Sequence, residues 1–545
     1  MESFTSIKYY TKTYTDTSWT EITSDVSTSK PPRGFVGMGG SSILDRVGDG
    51  GNMTIRINNN SGDYDPGDAS GNYLRMIAMF KWEVEWEGQT KVMFLGFHDV
   101  GTLKDGILAN GDRYMEITYR DWMAYAIEYQ LDFLPYQTNK SIDEAVQHIL
   151  DSLPMQPEYK KFTAGHYTFP DVFDITGSET TAGGEFTKLA NSEFGYIYLR
   201  FGTDAGGQLE VLNRNSRRSA SLTQIPVYSG DHSGDHLLLE TGDGLLLEDG
   251  SSYLLLEETG EIALALDDLD FADSLGHTYF GKYFNYVRIT THPRKVDAAN
   301  TTVLWTMEGA KLIPAGETVT GIRGRYRDPS GGASYVNGKD MITPVVTTDY
   351  KGYQNSDGTG TDLTANMVVT ADFGVAEAEL SIENTGGTDL HTGGEDILFQ
   401  VRGRGVYQYD TVDSVSDAIS TANNGLLQPF GGRMSLFYDM PYQSDDTDAK
   451  LLFHVDGNWW KAQPVREFET VPLLANRNTE NMRLFFYGSI NTKFDISPKT
   501  EADSVSGDYQ GYFIQGYSFE IVANQLIKWT PILFPEGRVP DSNQW

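Results

Sequence analysis

MTIRINNNSGDYDPGD, residues 53–68, sets the pattern for the chain. Met53, Ile55 and Ile57 alternate with Thr54, Arg56 and Asn58, the period of a strand with one face turned inward. NNNSGDYDPGD (58–68) is dense in turn formers. The same alternation and punctuation extend on both sides. FKWEVEWEG (80–88) puts Phe80, Trp82, Val84 and Trp86 on one side, and Gly88 opens a turn into KVMFLGFH. RYMEITYRDW (113–122) follows the Asn110-Gly111 turn signal. Short strands at this spacing predict a barrel or sandwich.

Helices are few. Ser141 and Glu144 in SIDE form a capping box. Ile142, Ala145, Val146, Ile149, Leu150 and Leu153 then recur at helical spacing until Pro154. A second helix is predicted over GEFTKLANSEFG (184–195), with Phe186, Leu189 and Ala190 inward and Gly195 as its stop. YIYLRFGTDAGGQLEVLNR then reads as a hairpin, and helix, hairpin and helix make a small α+β unit. Short helices are further expected over 413–423, with Val415, Ala418, Ile419 and Ala422, and within 444–457. The rest reads as strands and turns, so the fold class is mainly β with minor α.

The chain has 545 residues, too many for one ordinary core, and no cysteine. Disulfides, thiolate metal sites and a cysteine nucleophile are therefore excluded. With 42 basic and 76 acidic residues the net charge is −34, a surface that repels DNA phosphates. The N-terminus has no apolar core of signal-peptide length, and no stretch reaches the roughly 18 apolar residues of a membrane span. The 31 Tyr, 27 Phe and 9 Trp favour β structure and, where exposed, subunit contacts.

Motifs for chemistry are sparse. His232 and His236, beside Asp231 and Asp235, have a spacing suited to a metal on a helix, but Gly230, Ser233 and Gly234 oppose a helix there. Asp63, Asp65 and Asp68 suggest calcium, yet the sixth position from Asp63 is Asp68 rather than glycine, and the twelfth is Leu74 rather than glutamate. Capping of turns is the favoured role for these carboxylates, and for those of DDLDFADS (267–274) and SDDTDAK (444–450). There is no G-x-S-x-G elbow, P-loop or H-E-x-x-H. The sequence thus offers no catalytic residue, metal site or cofactor site. The basic clusters are GIRGRYRDP (321–329) and VRGRG (401–405). In so acidic a chain Arg323, Arg325, Arg402 and Arg404 are expected at strand edges, pairing with acidic neighbours or a partner subunit rather than with nucleic acid.

The order of these segments resembles that of phage tail hub proteins. MTIRINNNSGDYDPGD is similar to a stretch near the N-terminus of many phage minor tail proteins. FLGFHDVG, YMEITYRDWMAYA, FTKLANSEFGYIYLRFGTDAGGQLEVLNRNSRR, YFNYVRITTHPRKV, ELSIENTGGTDLHTGGEDILFQVRGRGVY and YFIQGYSFEIV follow in the family's order. The resemblance covers about 1–228 and 280–535, and Ala126 stands where a leucine is common. It implies a multidomain tail-hub (tail-tip or baseplate hub) architecture, with β-barrel domains, short helices and a sandwich-like part. It further implies a homotrimeric ring that adapts a sixfold tail tube to a threefold tip and leaves a DNA channel. The implied partners are other copies, a distal tail or tail tube protein, a tape measure protein and a tail fibre or receptor-binding protein. The implied place is the tail tip or baseplate of the virion, assembled in the host cytoplasm. With the chain ending at Trp545, no fibre repeats or peptidase are expected, and no cell-wall digestion. The alternatives are a receptor- or glycan-binding tail component and an envelope polysaccharide hydrolase.

The expected parts are a β-barrel over 1–130, an α+β domain over 131–280, a barrel- or sandwich-like β domain over 281–405 and an α+β domain over 406–545. The second holds an insertion, about 229–266, in which LLLE occurs at 237–240, 245–248 and 254–257. Each unit reads as a strand closed by a glycine turn. Leu238, Leu246 and Leu255 are expected either to seat this meander on the hub body or a neighbouring subunit, or to lie in a loose surface hairpin.

Overall fold

Among the described residues eight strands form before residue 121: β1 (Ser6–Lys12), β2 (Thr20–Glu21), β3 (Arg33–Gly37), β4 (Asp49–Asn58), β5 (Met79–Trp86), β6 (Gln89–His98), β7 (Lys104–Ile107) and β8 (Arg113–Arg120). The structure, a computed structural model, describes residues 3–27, 30–39, 45–67, 71–131, 134–173, 180–202, 207–217, 224–226, 261–263, 265–267, 278–279, 286–330, 334–408, 411–417, 435–445, 466–468, 471–497, 510–522 and 526–535. With 49% strand and 13% helix, the fold is mainly β with minor α, as the alternating sequence predicts. Met53, Ile55 and Ile57 on β4 are at most 1% exposed, and Phe80, Trp82, Val84 and Trp86 are buried on one face of β5. Glu87 and Gly88 both take positive φ (49° and 72°), the conformation a two-residue hairpin turn between β5 and β6 requires.

These strands share a 13-stranded sheet with the C-terminal part of the chain. Its order runs Ala265–Asp267, Lys493–Ser497, Gln510–Val522, β3, β4, β8, β6, β5, β1, β2. Leu526–Pro535 pairs with Gln510–Val522, Leu473–Leu474 with Leu526–Pro535, and β7 with β8. Among the described residues no ladder joins the two ends of the sheet. The join between the chain's two ends is antiparallel, with Arg33 opposite Glu520 and Gly37 opposite Gly516. Glycine is needed here because a Cβ on Gly34 would lie 2.6 Å from the Phe519 ring, and one on Gly37, at φ 109°, would lie 2.6 Å from Gly516 Cα. Aromatic contacts cross the same join. Trp82 packs on Phe519 (4.7 Å between centroids), and Trp86 meets Phe486 edge-on (5.7 Å). Phe486 belongs to the helix Thr479–Tyr487. Lys91 on β6, 1% exposed, donates from Nζ to the Gly488 and Phe485 carbonyls (2.7 and 3.4 Å), closing the helix C-terminus with a cation.

Among the described residues the α-helices are α1 (Asn72–Met76), α2 (Trp122–Glu128), α3 (Ile142–Asp151), α4 (Ala182–Glu193) and Thr479–Tyr487. On α3 the Ser141 N–H donates to Glu144 (3.1 Å), and all six apolar positions of the predicted stripe, through Leu153, are buried. Phe186, Leu189 and Ala190 of α4 are buried as expected. The expected stop at Gly195 is displaced, because Phe194 takes the left-handed conformation (φ 62°) and ends α4. Gly195 serves a close approach instead, since a Cβ there would lie 2.3 Å from the Leu212 carbonyl oxygen.

Residues 294–408 surround a separate apolar cluster that includes Leu304, Ile313, Leu380, Ile382, Leu390 and Val401. Two larger sheets and the pair Lys311–Ile313 with Leu390–Thr392, which carries Ile313 and Leu390, supply it. One is Thr318–Arg325, Glu377–Asn384, Met367–Phe373, and the other centres on Gln400–Gln408. The helix expected over 413–423 is corrected in its described part. Val412–Asp417 is a strand, antiparallel to Tyr286–Thr291, whose other side pairs in parallel with Ser435–Met440. The pairing overrides a weak helical signal, and Val415 is half exposed rather than inward. The rest of that segment, the helix expected within 444–457 beyond Asp445, and the Leu repeat from 229 to 260 lie outside the described residues. Among the described residues the exposed aromatics are Tyr14, Tyr159, Tyr335 and Phe437, and no Trp is exposed.

Trp82→Ala should destabilise the chain by about 3–5 kcal/mol, read as an earlier urea midpoint, because it opens a cavity at the join. Val100→Ser, at a position 88% exposed, should leave that midpoint in place.

Candidate interaction site

Arg323 and Arg325 lie on Thr318–Arg325, and Arg402 and Arg404 on Gln400–Gln408, in different sheets. Arg402 grips both carboxylate oxygens of Asp349 (2.5 and 2.9 Å). Burial alone would raise the Asp349 carboxyl, but hydrogen bonds from Arg402, the Val345 N–H and Gln400 hold it below the ordinary range. Arg404 donates to the Asp297 carbonyl (2.5 Å) and to Asp340 (3.1 Å). Arg323 pairs with Glu379 (3.1 Å) and Glu377 (3.7 Å). Arg325 lies over the Tyr335 ring (4.6 Å). Leu238, Leu246 and Leu255 lie outside the described residues, as do His232, His236 and Asp68. Asp65 accepts from Asn59 (2.8 Å) and twice from Arg113 (2.8 and 2.9 Å), so it ties the 58–67 turn to β8. Among the described residues no group of three or more His, Asp or Glu is arranged to hold a metal.

The densest buried polar cluster surrounds α4, where sequence reading saw only the apolar face. Thr181 caps the helix by accepting from Gly184 N–H (3.1 Å). Gly183 lets α2 approach, since a Cβ there would lie 2.7 Å from Ile127 Cα. Glu185 has no exposed surface. It accepts from Thr180 (3.0 Å), from Lys188 (2.7 Å) and from the Tyr442 hydroxyl. Glu193, equally buried, takes the N–H groups of His166 (2.9 Å) and Tyr167 (3.1 Å), with Arg214 at 3.6 Å. Tyr442 N–H donates to Ser192 Oγ (2.9 Å), and Gln443 to the Ser192 carbonyl (3.0 Å). Arg46, 4% exposed, stacks on the Phe194 ring (3.3 Å) and donates to its carbonyl (3.0 Å). One helix thus holds three distant segments, 45–48, 166–167 and 438–443, through charges removed from water. The signal was present, because Glu185, Ser192 and Glu193 fall at i, i+7 and i+8 on the face that also carries Leu189.

A second feature is an apolar pocket of about 270 Å³ lined by Trp19, Leu95, Phe97, Trp122 and Met155, with Lys12 and Glu158 among its polar groups.

No protein-family model matches the chain, and no curated protein matches it. Solved structures similar to it include a tail protein from Neisseria meningitidis MC58, at TM-score 0.44 and 8% identity, over 98% of this chain and 97% of that one. The 43 kDa tail protein of prophage MuSo2 from Shewanella oneidensis matches at 0.42 and 8%, over 98% and 99%. An E. coli type VI secretion component, described as structurally similar to T4 tail proteins gp27 and gp5, matches at 0.33 and 9%, over 96% and 75%.

Two predictions come from this region. Tyr442→Phe leaves buried Glu185 without one donor and should cost about 1–3 kcal/mol. Limited proteolysis should then cut 435–445 sooner than in the wild type. The second concerns Asp121, which caps α2 by accepting from Ala124 N–H (3.0 Å) at 1% exposure. Burial pushes its carboxyl up to about 7 against the backbone bonds that lower it. A carboxyl with a raised folded pKa adds stability that is complete below its ordinary 3.8 and is lost as pH rises through about 7. Asp121→Asn, which cannot ionise, should therefore show a smaller drop in urea midpoint between about pH 5 and about pH 8 than the wild type.

Proposed function

We propose that the chain is a structural component of a phage-type tail, a hub that closes into a threefold ring between tail tube and tail tip and leaves a channel for DNA. The observation that carries this reading is the shared sheet, in which Arg33–Gly37 pairs with Gly516–Glu520 and joins the two ends of the chain into one body. A discontinuous body of this kind is what the tail-hub resemblance implies. A net charge of −34 suits a channel wall that DNA must pass without sticking. The buried glutamates around α4 act as fasteners between segments, and the reading gives the chain no catalytic task. Its partners are further copies, a tail tube or distal tail protein, a tape measure protein and a fibre or receptor-binding protein, at the tail tip of the virion.

One observation favours a second reading, a receptor- or glycan-binding tail component: the aromatic pocket of Trp19, Phe97 and Trp122. Glycan-array binding by the purified chain, lost on Trp19→Ala, would support it.

The hub reading is tested by native mass spectrometry and negative-stain microscopy of the purified chain, and by mass spectrometry of virions. Trimeric rings and presence in the particle are expected. A monomer absent from virions would overturn it.

A further inference from the structure

The sheet Thr318–Arg325, Glu377–Asn384, Met367–Phe373 has Glu377–Asn384 at its centre and two outer strands. Its two edges differ. The 318–325 ladder shifts register between Val319 and Ile322, with Gly321 at φ 73°, and such a bulge twists an edge out of line. The 367–373 strand pairs with the centre without a break over seven positions. Thr385 N–H donates to the Asn366 carbonyl (2.9 Å), and Gly374 N–H to the Glu377 carbonyl (2.9 Å). These two bonds fix the phase of the ladder, because antiparallel neighbours alternate between bonding their partner and facing away. Val368, Thr370 and Asp372 bond the central strand, and the odd-numbered residues turn their N–H and C=O groups to the far side. That side is closed at both ends. The Tyr350 hydroxyl donates to the Met367 carbonyl (3.5 Å), Val375 N–H donates to the Leu134 carbonyl (3.0 Å), and the Val375 carbonyl accepts from Gly338 N–H (2.8 Å). Between these contacts Val369, Ala371 and Phe373 have no main-chain partner on the far side among the described residues.

The gap runs from 369 to 373, the length of one short strand. Native proteins blunt an open edge with lysine, proline or a bulge, and MVVTADF has none of these. It is a template for strand addition. The side chains specify what fits. Val369, Ala371 and Phe373 pack against the apolar cluster of this body, so an added strand must place apolar groups beside them. On the opposite face Val368, Thr370 and Asp372 are exposed. Asp372 stands level with Glu379, and Val368 with Glu383. Arg323 offsets Glu379, but Asp372 and Glu383 have no cation among the described residues, so the added strand should be basic there. A second copy is a poorer occupant. Its own 367–373 edge brings no cation, and its 318–325 edge carries the bulge. The Tyr350 and Leu134 contacts also stand in the path of a longer edge.

We propose that Val369, Ala371 and Phe373 take a short extended segment of another tail protein as a fourth strand, with apolar residues beside these three and a lysine or arginine beside Asp372. The proposal rests on the tail reading above and gives it a docking point for a partner. A single added strand closes no barrel, so the contact makes no demand on the width of a channel.

The test is hydrogen exchange of the full chain, free in solution and in intact tails, read residue by residue over 367–375 by mass spectrometry with fragmentation. In the free chain the amides of Val369, Ala371 and Phe373 should exchange fast and those of Val368, Thr370 and Asp372 slowly. In tails the first three are expected to slow by about tenfold, the protection that one hydrogen bond confers. Two variants, checked for folding by circular dichroism, probe the contact. Ala371→Pro removes an edge N–H without touching the ladder to the central strand, and Asp372→Lys reverses the exposed charge. In tails that contain either variant the edge amides should stay fast. Edge amides equally fast in wild-type tails and in the free chain would overturn the docking point while leaving the tail reading in place. Slow amides in the Ala371→Pro tails would overturn strand addition, and slow amides in the Asp372→Lys tails would overturn the basic partner. Amides of the free chain that slow as its concentration rises would assign the edge to a second copy instead. A chain missing from tails would remove the tail reading and the docking point together.

Discussion

The antiparallel ladder between Arg33–Gly37 and Gly516–Glu520 is the constraint on which the rest of the structure depends. It joins strands from opposite ends of the chain. Closing so long a loop is thermodynamically tolerable, because the entropy cost grows only with the logarithm of length. The ladder itself is short, so its strength comes from what it brings together. Gly34 and Gly37 leave space for Phe519 and Gly516, Phe519 meets Trp82, and the next strand to Trp82 carries Lys91 to the end of the helix Thr479–Tyr487. A side chain added at Gly34 would separate the strands before any of these contacts could form.

Buried charge is the second organising device, and it works between segments rather than within them. Glu185, Glu193, Arg46 and Lys91 each bond main-chain or side-chain groups far away in sequence. Desolvating such groups costs several kcal/mol per ion, so they add little net stability over apolar replacements. What they add is discrimination, because a misplaced segment leaves the ion unpaired at a further cost. In a chain of many short strands with similar alternation, that penalty separates the native arrangement from register slips that burial alone would tolerate.

The elements legible in the sequence were those whose reason is local. β4, β5 and α3 could be read because their periodicity is long and their turns and caps are nearby. The pairing of β3 with the C-terminal strands was not legible, because strand alternation names a face and not a neighbour. Val412–Asp417 looked helical since Val415, Ala418 and Ile419 fall at helical spacing, but the edge of Tyr286–Thr291 captured it. Phe194 took the left-handed position expected one residue later because Arg46 stacks on its ring and bonds its carbonyl. The polar half of α4 was overlooked because acidic residues on a helix are read as solvent-facing unless a partner is visible. The partners of Glu185 and Glu193, Tyr442 and His166, lie on other segments.

An acidic chain that assembles with itself must do so against its own charge. At −34 each copy repels the next, but at physiological salt repulsion fades beyond roughly 8 Å, so only charges at the contact matter. A contact made by strand edges meets that constraint well. Its hydrogen bonds run between main-chain groups, whose strength does not depend on the net charge of the subunit. The local field can then be reversed by few side chains. Arg323 already offsets Glu377 and Glu379 on the face beside one edge, and Arg325 adds a cation there without a carboxylate of its own among the described residues. The net charge of the chain stays strongly negative all the same. In any self-association of so acidic a chain, a cation such as Arg325, without a carboxylate among the described residues, is most useful where two copies meet.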